Sequence, residues 1–391
     1  HKWMRLYRIC NKLYLVSMKQ KTRNEIQPQR LKSLDALRGF DMFWIMGAGE
    51  FFILLGSLTG LPALQWWANQ MTHIEWHGFH AYDMIFPLFL FIAGVSFPFS
   101  AQKRLKMEDG RNSLYRHIFK RGLLLVLIGI IYNNGISFDF ANLRYASVLG
   151  RIGLAWMFAT LIFMNTKKSK TRVIWFWGIL IFYWLLFVLF KAPDTGDPDH
   201  YSMQGNIASY IDRLLLPGRF CCFELGDNEG ILALISATGT GLLGILTGEL
   251  LLTNLKPLKK VLYMAIAGVI LMIAGQLWNL AFPINKILWS SSFVCWVGGI
   301  SLLLMAIFYL IIDVWRLSKW SFFFVVIGMN PITIYLANRI IRWGNANEFF
   351  FRGIAELFPE TWAPIVMSAG YITIGWVFLY ILYRRKIFLK I

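Results

Sequence analysis

Three histidines and two carboxylates fall within eleven residues of the chain, from His73 to Asp83. The segment reads His-Ile-Glu-Trp-His-Gly-Phe-His-Ala-Tyr-Asp. Histidine titrates nearest neutral pH, so an imidazole can act as a base or a nucleophile toward a carbonyl group. The same residue types also bind zinc, and His and Trp also anchor proteins at a membrane edge. Catalysis, metal binding and interfacial anchoring are therefore all open for this segment.

Several ionisable or polar side chains occur within long apolar stretches, where a charge is costly unless it is paired or functional. Asp83 begins such a stretch and is either a functional carboxylate or an N-terminal helix cap. Glu50, Arg151 and Asn330 lie inside other stretches, the last directly before Pro331. Because polar residues also hold membrane helices together, each of these side chains has a structural explanation as well.

Membrane-spanning helices must position these residues. The sequence is 57% hydrophobic and 15% charged, whereas a soluble domain is typically about 45–50% apolar and 25% charged. Apolar stretches of the length that spans a bilayer occur near residues 36–57, 81–100, 114–132, 146–165, 172–191, 230–252, 260–282, 288–312, 320–341 and 364–383. They lack the alternation of a transmembrane barrel. We predict an all-α polytopic membrane protein with about ten transmembrane helices in one bundle.

The net charge of +18 is spread over short clusters between the apolar stretches, which does not indicate a nucleic-acid partner. Of the 39 Lys and Arg residues, 29 fall in alternate connecting segments, and the loop 58–80 has none. By the positive-inside rule, both termini are predicted to be cytoplasmic. We predict a basic cytoplasmic segment over residues 1–30, in which residues 1–17 precede a plausible start at Met18, and a transmembrane domain over 31–391.

Basic side chains at the predicted cytoplasmic edge are candidates for binding phosphate. Arg38 lies in the opening of the first helix, and Arg121 lies in the third apolar stretch. With the loop lysines, they can hold the phosphates of a nucleotide-bearing donor. Positive-inside charge also explains these residues without any ligand.

Five segments, in order from residue 31 to about residue 340, carry a family resemblance. They are residues 33–39 (Ser-Leu-Asp-Ala-Leu-Arg-Gly), the His73-x-x-Trp and Asp83-x-x-Phe-Pro motifs, residues 144–153, the pair 229–230, and residues 283–290 with 328–330. Together they resemble the transmembrane acyltransferases typified by heparan-α-glucosaminide N-acetyltransferase and its bacterial homologues. The His-x-x-Trp motif beside Asp-x-x-Phe-Pro is the specific part of this resemblance.

The resemblance implies transfer of an acetyl group from cytoplasmic acetyl-CoA to the amine of a terminal glucosamine on the far side of the membrane. The family's catalytic histidine falls on His73, and we predict that Asp83 assists it. The predicted substrate-binding residues are Glu50, Glu75, Trp76, Glu229, Lys286 and Asn330. The predicted residues for binding CoA are Arg38, Arg121 and Arg151, and no metal is expected.

An alternative function is transport of an amino sugar or a lipid-linked sugar without acyl transfer, because polar residues within spans are also typical of transporters. No internal repeat is visible, and His73 is predicted at one mouth of the bundle, which favours the acyltransferase. The expected partners are an amino-sugar acceptor, CoA, membrane lipid and a second copy of the chain. The expected location is the inner membrane of a bacterium.

Overall fold

The computed structural model describes residues 31–107, 109–137, 139–223 and 225–389. The predicted cytoplasmic segment 1–30 lies outside the described residues. The helices are α1 (Lys32–Phe43), α2 (Gly49–Thr59), α3 (Pro62–Gln70), α4 (Ile85–Arg104), α5 (Gly110–Tyr132), α6 (Val148–Asn165), α7 (Ser169–Leu189), α8 (Ile207–Leu215), α9 (Leu234–Leu252), α10 (Pro257–Asn279), α11 (Ser291–Phe308), α12 (Phe322–Gly328), α13 (Pro331–Ile340), α14 (Trp343–Ala355) and α15 (Ala363–Arg384). The strands β1 (Cys222–Phe223) and β2 (Gly226–Asp227) form a small antiparallel hairpin.

The described helices confirm the all-α polytopic class. Eight helical segments are long and apolar enough to cross a membrane, and the bent pair α12–α13 makes a ninth if it counts as one span. Helix α5 occupies the third predicted stretch, with the basic residues Arg116, Lys120 and Arg121 in its first half. Each of the ten predicted stretches therefore contains a helix or a pair of helices.

Two spans are interrupted where the sequence allows it. The first span has a π-helical turn, Trp44–Ala48, between α1 and α2, and Gly47 there adopts a φ of 125°. Helices α12 and α13 meet at 70°, because Pro331 has no backbone N–H and disfavours a helical residue before it. Asn330 accordingly has a non-helical backbone, with φ −135° and ψ 51°.

Close backbone contacts at glycines hold the centre of the bundle together. Helix α9 packs against α4, α6 and α7. At its crossing with α4, a Cβ on Gly94 would overlap the carbonyl oxygen of Gly241, and a Cβ on Gly244 would overlap that of Phe91. Small residues let membrane helices approach in this way, where dispersion contacts take the place of a hydrophobic driving force.

The connections 60–80, 133–147, 190–233 and 280–290 lie at the same end of the bundle, because the spans alternate in direction. Hydrogen bonds link these loops to one another. The backbone N–H of Gly78 donates to the Ile284 carbonyl at 2.8 Å, and Nε1 of Trp76 donates to the Tyr201 carbonyl at 2.8 Å. This end carries the loop that lacks Lys and Arg, which is the end predicted to face outward.

Candidate active site

A cavity of about 420 Å³ lies among these loops. Seven of the eleven predicted site residues line it: His73, Glu75, Trp76, Asp83, Arg151, Glu229 and Lys286. These residues come from four separate parts of the sequence, and the alternation of the spans brings them together.

Asp83 and His73 form a close pair at one wall of the cavity. Asp83 lies in a 3₁₀ turn, Ala81–Met84, directly before α4, and its side chain is buried. Its Oδ2 accepts the backbone N–H of His80 at 3.0 Å, and its Oδ1 lies 2.7 Å from Nδ1 of His73. One oxygen therefore caps the turn, and the other faces the imidazole.

Lys286 completes this cluster from the loop before α11. Its Nζ lies 3.1 Å from Oδ1 of Asp83 and 3.0 Å from Nδ1 of His73. With a proton on Nδ1, both the imidazole and the ammonium donate to the Asp83 carboxylate, and Nε2 of His73 keeps its lone pair. Burial lowers the pKa of Lys286 from its ordinary value, although Asp83 and Glu229 favour the charged form.

The side chain of His73 is half exposed, so its ring is open to a molecule in the cavity. Its ring centroid lies 4.9 Å from that of Tyr82, which packs beside it. An imidazole held at Nδ1 by a buried carboxylate has a fixed orientation, and its second nitrogen is available as a base or nucleophile.

An arginine–carboxylate cluster forms a second wall. Arg144 donates from Nε and Nη2 to the two carboxylate oxygens of Asp227, at 2.9 and 2.6 Å, and also donates to Glu229. Burial opposes the charge of Arg144, but Asp227 and Glu229 outweigh it and raise the pKa of the guanidinium. Burial would likewise raise the pKa of Asp227, but the hydrogen bond from Arg144 lowers it overall.

The side chain of Asp212 holds the backbone on both sides of Glu229. Its two carboxylate oxygens accept the backbone N–H groups of Asp227 at 3.2 Å and Ile231 at 2.9 Å. A Cβ at Gly230 would overlap this carboxylate, so the Glu-Gly pair of the motif has a steric reason. Burial raises the pKa of Asp212 to about 6.

Arg151, one of the three residues predicted to bind CoA, lines this outer cavity, away from Arg38 and Arg121. It is buried, and its Nη2 donates to the Asn228 carbonyl at 2.6 Å. Its guanidinium carbon lies 5.0 Å from the centroid of the Trp289 ring. The atom Nε is buried without a hydrogen-bond partner among the described residues. The reason is position: Arg151 lies in the first turn of α6, at the end of the bundle that holds His73.

Two predicted substrate residues do not reach the cavity. Glu50 follows the kink at Gly47 and is exposed. Asn330 is buried at the α12–α13 bend, where its Nδ2 donates to the Ile387 carbonyl at 3.0 Å and its Oδ1 accepts the Leu389 N–H at 3.1 Å. It joins the bend to the C-terminal segment, toward the opposite end of the bundle.

Arg38 and Arg121 lie close together toward that opposite end, where their charges interact. Nη2 of Arg38 donates to Oγ of Ser96 at 2.8 Å, and its Nη1 lies 3.5 Å from Asp35. The guanidinium of Arg121 lies over the Trp156 ring, 4.4 Å from its centroid, and its Nε is buried with no hydrogen-bond partner in the described ranges.

The other two histidines of the segment do not line the cavity. Nδ1 of His77 lies 3.4 Å from Nδ2 of Asn285, and burial lowers the pKa of this imidazole. Nδ1 of His80 lies 3.1 Å from the Thr72 carbonyl oxygen. Across the part of the chain that the structure describes, no group of three or more His, Cys, Asp and Glu side chains is placed to hold a metal ion.

Several residues of the site were not predicted from the sequence. Arg144, Asp227 and Trp289 line or support the cavity, and Asp212 supports its floor. The polar run Gly-Asp-Asn-Glu-Gly at residues 226–230 is the local signal that could have indicated Asp227. No local signal pairs it with Arg144, which is 83 residues away.

Fold and site together define a polytopic membrane protein with a histidine–carboxylate site at one mouth of its bundle. Residues 30–203 match the family model described as "Heparan-alpha-glucosaminide N-acetyltransferase, catalytic". The human heparan-alpha-glucosaminide N-acetyltransferase is 26% identical over 93% of this chain and 60% of its own length. The mouse protein of that name is 27% identical over 94% of this chain and 62% of its own length.

These matches support the transmembrane acyltransferase family that the motifs predicted, with similarity to the family model over residues 30–203. It spans about three fifths of the length of the curated relatives it matches.

Proposed function

We propose that the chain is a transmembrane N-acetyltransferase that transfers the acetyl group of acetyl-CoA to the amine of a glucosamine-type sugar. The observation that carries the proposal is the 2.7 Å contact between Oδ1 of Asp83 and Nδ1 of His73 at the edge of a cavity. The names of the human and mouse relatives support the reaction class.

The reaction needs a base near the acetyl carbonyl. An amino sugar enters as an ammonium and must lose a proton before its nitrogen attacks the carbonyl carbon. As the new C–N bond forms and the C–S bond breaks, His73 takes one of the two amine protons and returns it to the sulfur, which leaves as a thiol, and the other proton stays on the amide nitrogen. Alternatively, Nε2 of His73 first takes the acetyl group and then passes it to the amine. Both routes release one proton overall.

The cavity supplies groups suited to an amino sugar. Glu75 is exposed at its rim and attracts an ammonium. Trp76 is fixed by its bond to the Tyr201 carbonyl and by an edge contact with Phe223, so its ring offers an apolar face to the C–H side of a sugar. Glu229 and Arg144 provide acceptors and donors for hydroxyl groups on the opposite wall.

The donor is proposed to enter from the other end of the bundle. Arg38 and Arg121 lie there with His117, which experiences the charges of Arg104 and Lys120. Such a set of cations suits the phosphates of CoA. A small apolar cavity of about 20 Å³ lies between the two ends of the bundle. Phe86 lines both this small cavity and the outer cavity. A pantetheine arm must therefore widen the small cavity.

The orientation follows from the charge distribution. The 29 basic residues in alternate segments favour cytoplasmic termini, so the cavity with His73 faces away from the cytoplasm. The bacterial inner membrane is the proposed location, in keeping with the resemblance to the bacterial homologues.

The test is transfer of labelled acetyl from acetyl-CoA to glucosamine by membranes that contain the protein. The expected product is N-acetylglucosamine, formed by the wild type and by His77→Ala but not by His73→Ala. His77 is the matched control because it lies in the same loop and outside the cavity. Movement of unmodified glucosamine across the membrane, with no labelled product, would support the transporter and refute the acetyltransferase.

A further inference from the structure

A second cavity, of about 260 Å³, lies behind the turn that carries Asp83. Tyr82 and Met84 of the turn face this cavity, whereas Asp83 between them lines the outer one. Its other walls come from α1, α3, α4 and α11. The lining is almost entirely apolar, and five of its side chains are aromatic: Phe40, Trp44, Trp67, Phe79 and Tyr82.

One carboxylic acid, Asp41, lines this cavity, and its side chain is only 1% exposed. Its Oδ2 is buried with no hydrogen-bond partner among the residues that the structure describes. The cavity lining contains no Lys, Arg or His. A carboxylate in such surroundings is strongly destabilised unless a cation or a hydrogen-bond donor meets it.

The usual structural roles do not account for Asp41. It is the tenth residue of α1, so it cannot cap the start of the helix. It does not join helices through a polar contact, because Oδ2 has no partner in the described ranges. It also lies outside the cavity that contains His73. The role that remains for Asp41 is to bind a ligand in the second cavity.

The aromatic lining indicates which ligand. The ring centroids of Trp44 and Trp67 are 5.9 Å apart, and those of Phe40 and Trp44 are 5.7 Å apart, so the rings form a continuous surface beside Asp41. Aromatic faces attract organic cations, and a carboxylate among them adds charge complementarity. A neutral apolar ligand would need no carboxylate, and an anion would be repelled by it.

Depth and size restrict the ligand further. Asp41 lies nine residues after Lys32, which is about 14 Å along a helix that rises about 1.5 Å per residue. Its carboxylate is therefore well inside the first span. The ligand must therefore partition into the membrane. The volume is slightly below the range of roughly 300–1,000 Å³ that is typical of drug-sized ligands, which favours a small molecule.

We propose that this second cavity binds a small apolar organic ammonium compound, with the cation on the Asp41 carboxylate and the apolar body among the aromatic rings. The site is separate from acetyl transfer. Its test measures binding alone, so its outcome is independent of the proposed function.

The experiment measures equilibrium binding of tritiated 4-phenylbutylamine to the purified full-length protein in detergent. Neutral 4-phenylbutan-1-ol, which has nearly the same shape, competes against it. The variants are Asp41→Asn, which removes the charge, and Ile300→Phe, which fills the cavity from α11. Asp313→Asn is the control. Asp313 is also a partly buried acid, but it lies outside the cavity, and its carboxylate accepts the backbone N–H of Ser33. Size-exclusion profiles verify that each variant is folded.

The wild type and Asp313→Asn are expected to bind the amine saturably, and the alcohol is expected to compete at least tenfold more weakly. Asp41→Asn and Ile300→Phe are each expected to weaken binding at least tenfold. If Asp41→Asn does not fold, Ile300→Phe and the comparison of amine with alcohol decide. The proposal is overturned by absence of saturable binding, by equal competition from the alcohol, or by unchanged binding in either cavity variant.

Discussion

The Asp83 carboxylate holds His73 by one oxygen at 2.7 Å and is itself held by the His80 backbone through the other. This arrangement orients the imidazole without any contribution from the substrate, and the carboxylate favours a proton on Nδ1. His73 lies on a loop, but its contact with Asp83 anchors it to a helix, because the turn that contains Asp83 directly precedes α4.

The first prediction concerns this pair. His73→Ala should lower acetyl transfer at least ~100-fold, the lower end of what general acid–base catalysis contributes. Asp83→Asn should cause a smaller loss, because an amide still contacts Nδ1 but leaves the ammonium of Lys286 without its partner. Initial rates on purified protein check this, with His77→Ala as the control. A His73→Ala enzyme with a near wild-type rate would contradict the role assigned to the imidazole.

The second prediction compares two arginine–carboxylate pairs. Arg144 makes a bidentate contact with buried Asp227, and Arg213 makes one with the more exposed Asp194. Arg144→Met should destabilise the protein by about 3–5 kcal/mol, because it leaves a buried carboxylate unpaired. Arg213→Met should cost about 1 kcal/mol or less.

The melting temperatures of both Arg variants are measured by thermal unfolding in detergent under the same conditions. Equal shifts of the melting temperature would mean that burial does not distinguish the two pairs. Arg144→Met should also raise the KM for glucosamine, since Glu229 shares this arginine.

The third prediction concerns the contact of α1 with α12. A Cβ on Gly328 would overlap the carbonyl oxygen of Asp35, and its other close neighbours are also backbone atoms, so the helices must separate. Gly328→Ala should therefore destabilise the protein by about 1–3 kcal/mol, the usual cost of overpacking. Gly178→Ala is the control, because a Cβ there has nothing within 4 Å. A melting temperature for Gly328→Ala at or above that of the control would rule out this tight contact.

The sequence was sufficient to predict the spans and seven of the residues that line the outer cavity. Apolar length alone predicts the helices, and the alternation of loops predicts that His73, Glu229 and Lys286 meet at one end. The sequence could not show that Arg144 and Asp227 pair, because nothing local couples residues 83 positions apart.

Two predicted site residues were displaced by backbone features. The outward position of Glu50 depends on the π-helical turn at Gly47, and a glycine within an apolar run does not reveal such a turn. Asn330 was rightly associated with the break at Pro331. Its hydrogen bonds, however, go to the C-terminal segment, and only the 70° bend between α12 and α13 makes that contact possible.

The fourth prediction is a pH dependence of stability. Because the pKa of Asp212 is raised to about 6, the folded protein keeps a proton that the unfolded chain has released. Stability should therefore fall as pH rises from about 4 to 6, by about 1–3 kcal/mol from this group. The effect of Asp227 on stability has the opposite sign. Its pKa is lowered in the folded protein, so its stabilising contribution is present above about pH 4 and is lost as the pH falls further.

Melting temperatures of the wild type and Asp212→Asn between pH 4 and 7 isolate this contribution. The wild-type curve should decline more steeply between pH 4 and 6, because the variant has no carboxylate to titrate at that position. Parallel curves would show that the Asp212 carboxylate does not hold a proton in this range.

The fifth prediction fixes which end of the bundle faces the cytoplasm. The structure places Lys106 and Lys256 at one end and Pro198 and Glu360 at the other, because an odd number of spans separates the two sets. The positive-inside rule assigns the lysines to the cytoplasm. In a cysteine-free background, single cysteines at positions 198 and 360 should react with a membrane-impermeant maleimide in intact cells, and those at 106 and 256 should react only after permeabilisation. The reverse pattern would place His73 and its cavity on the cytoplasmic side, where acetyl-CoA and the sugar would meet without crossing a membrane. Labelling of one member from each set would instead contradict the alternation of the spans, on which the common end of the connecting loops and the assembly of the cavity depend.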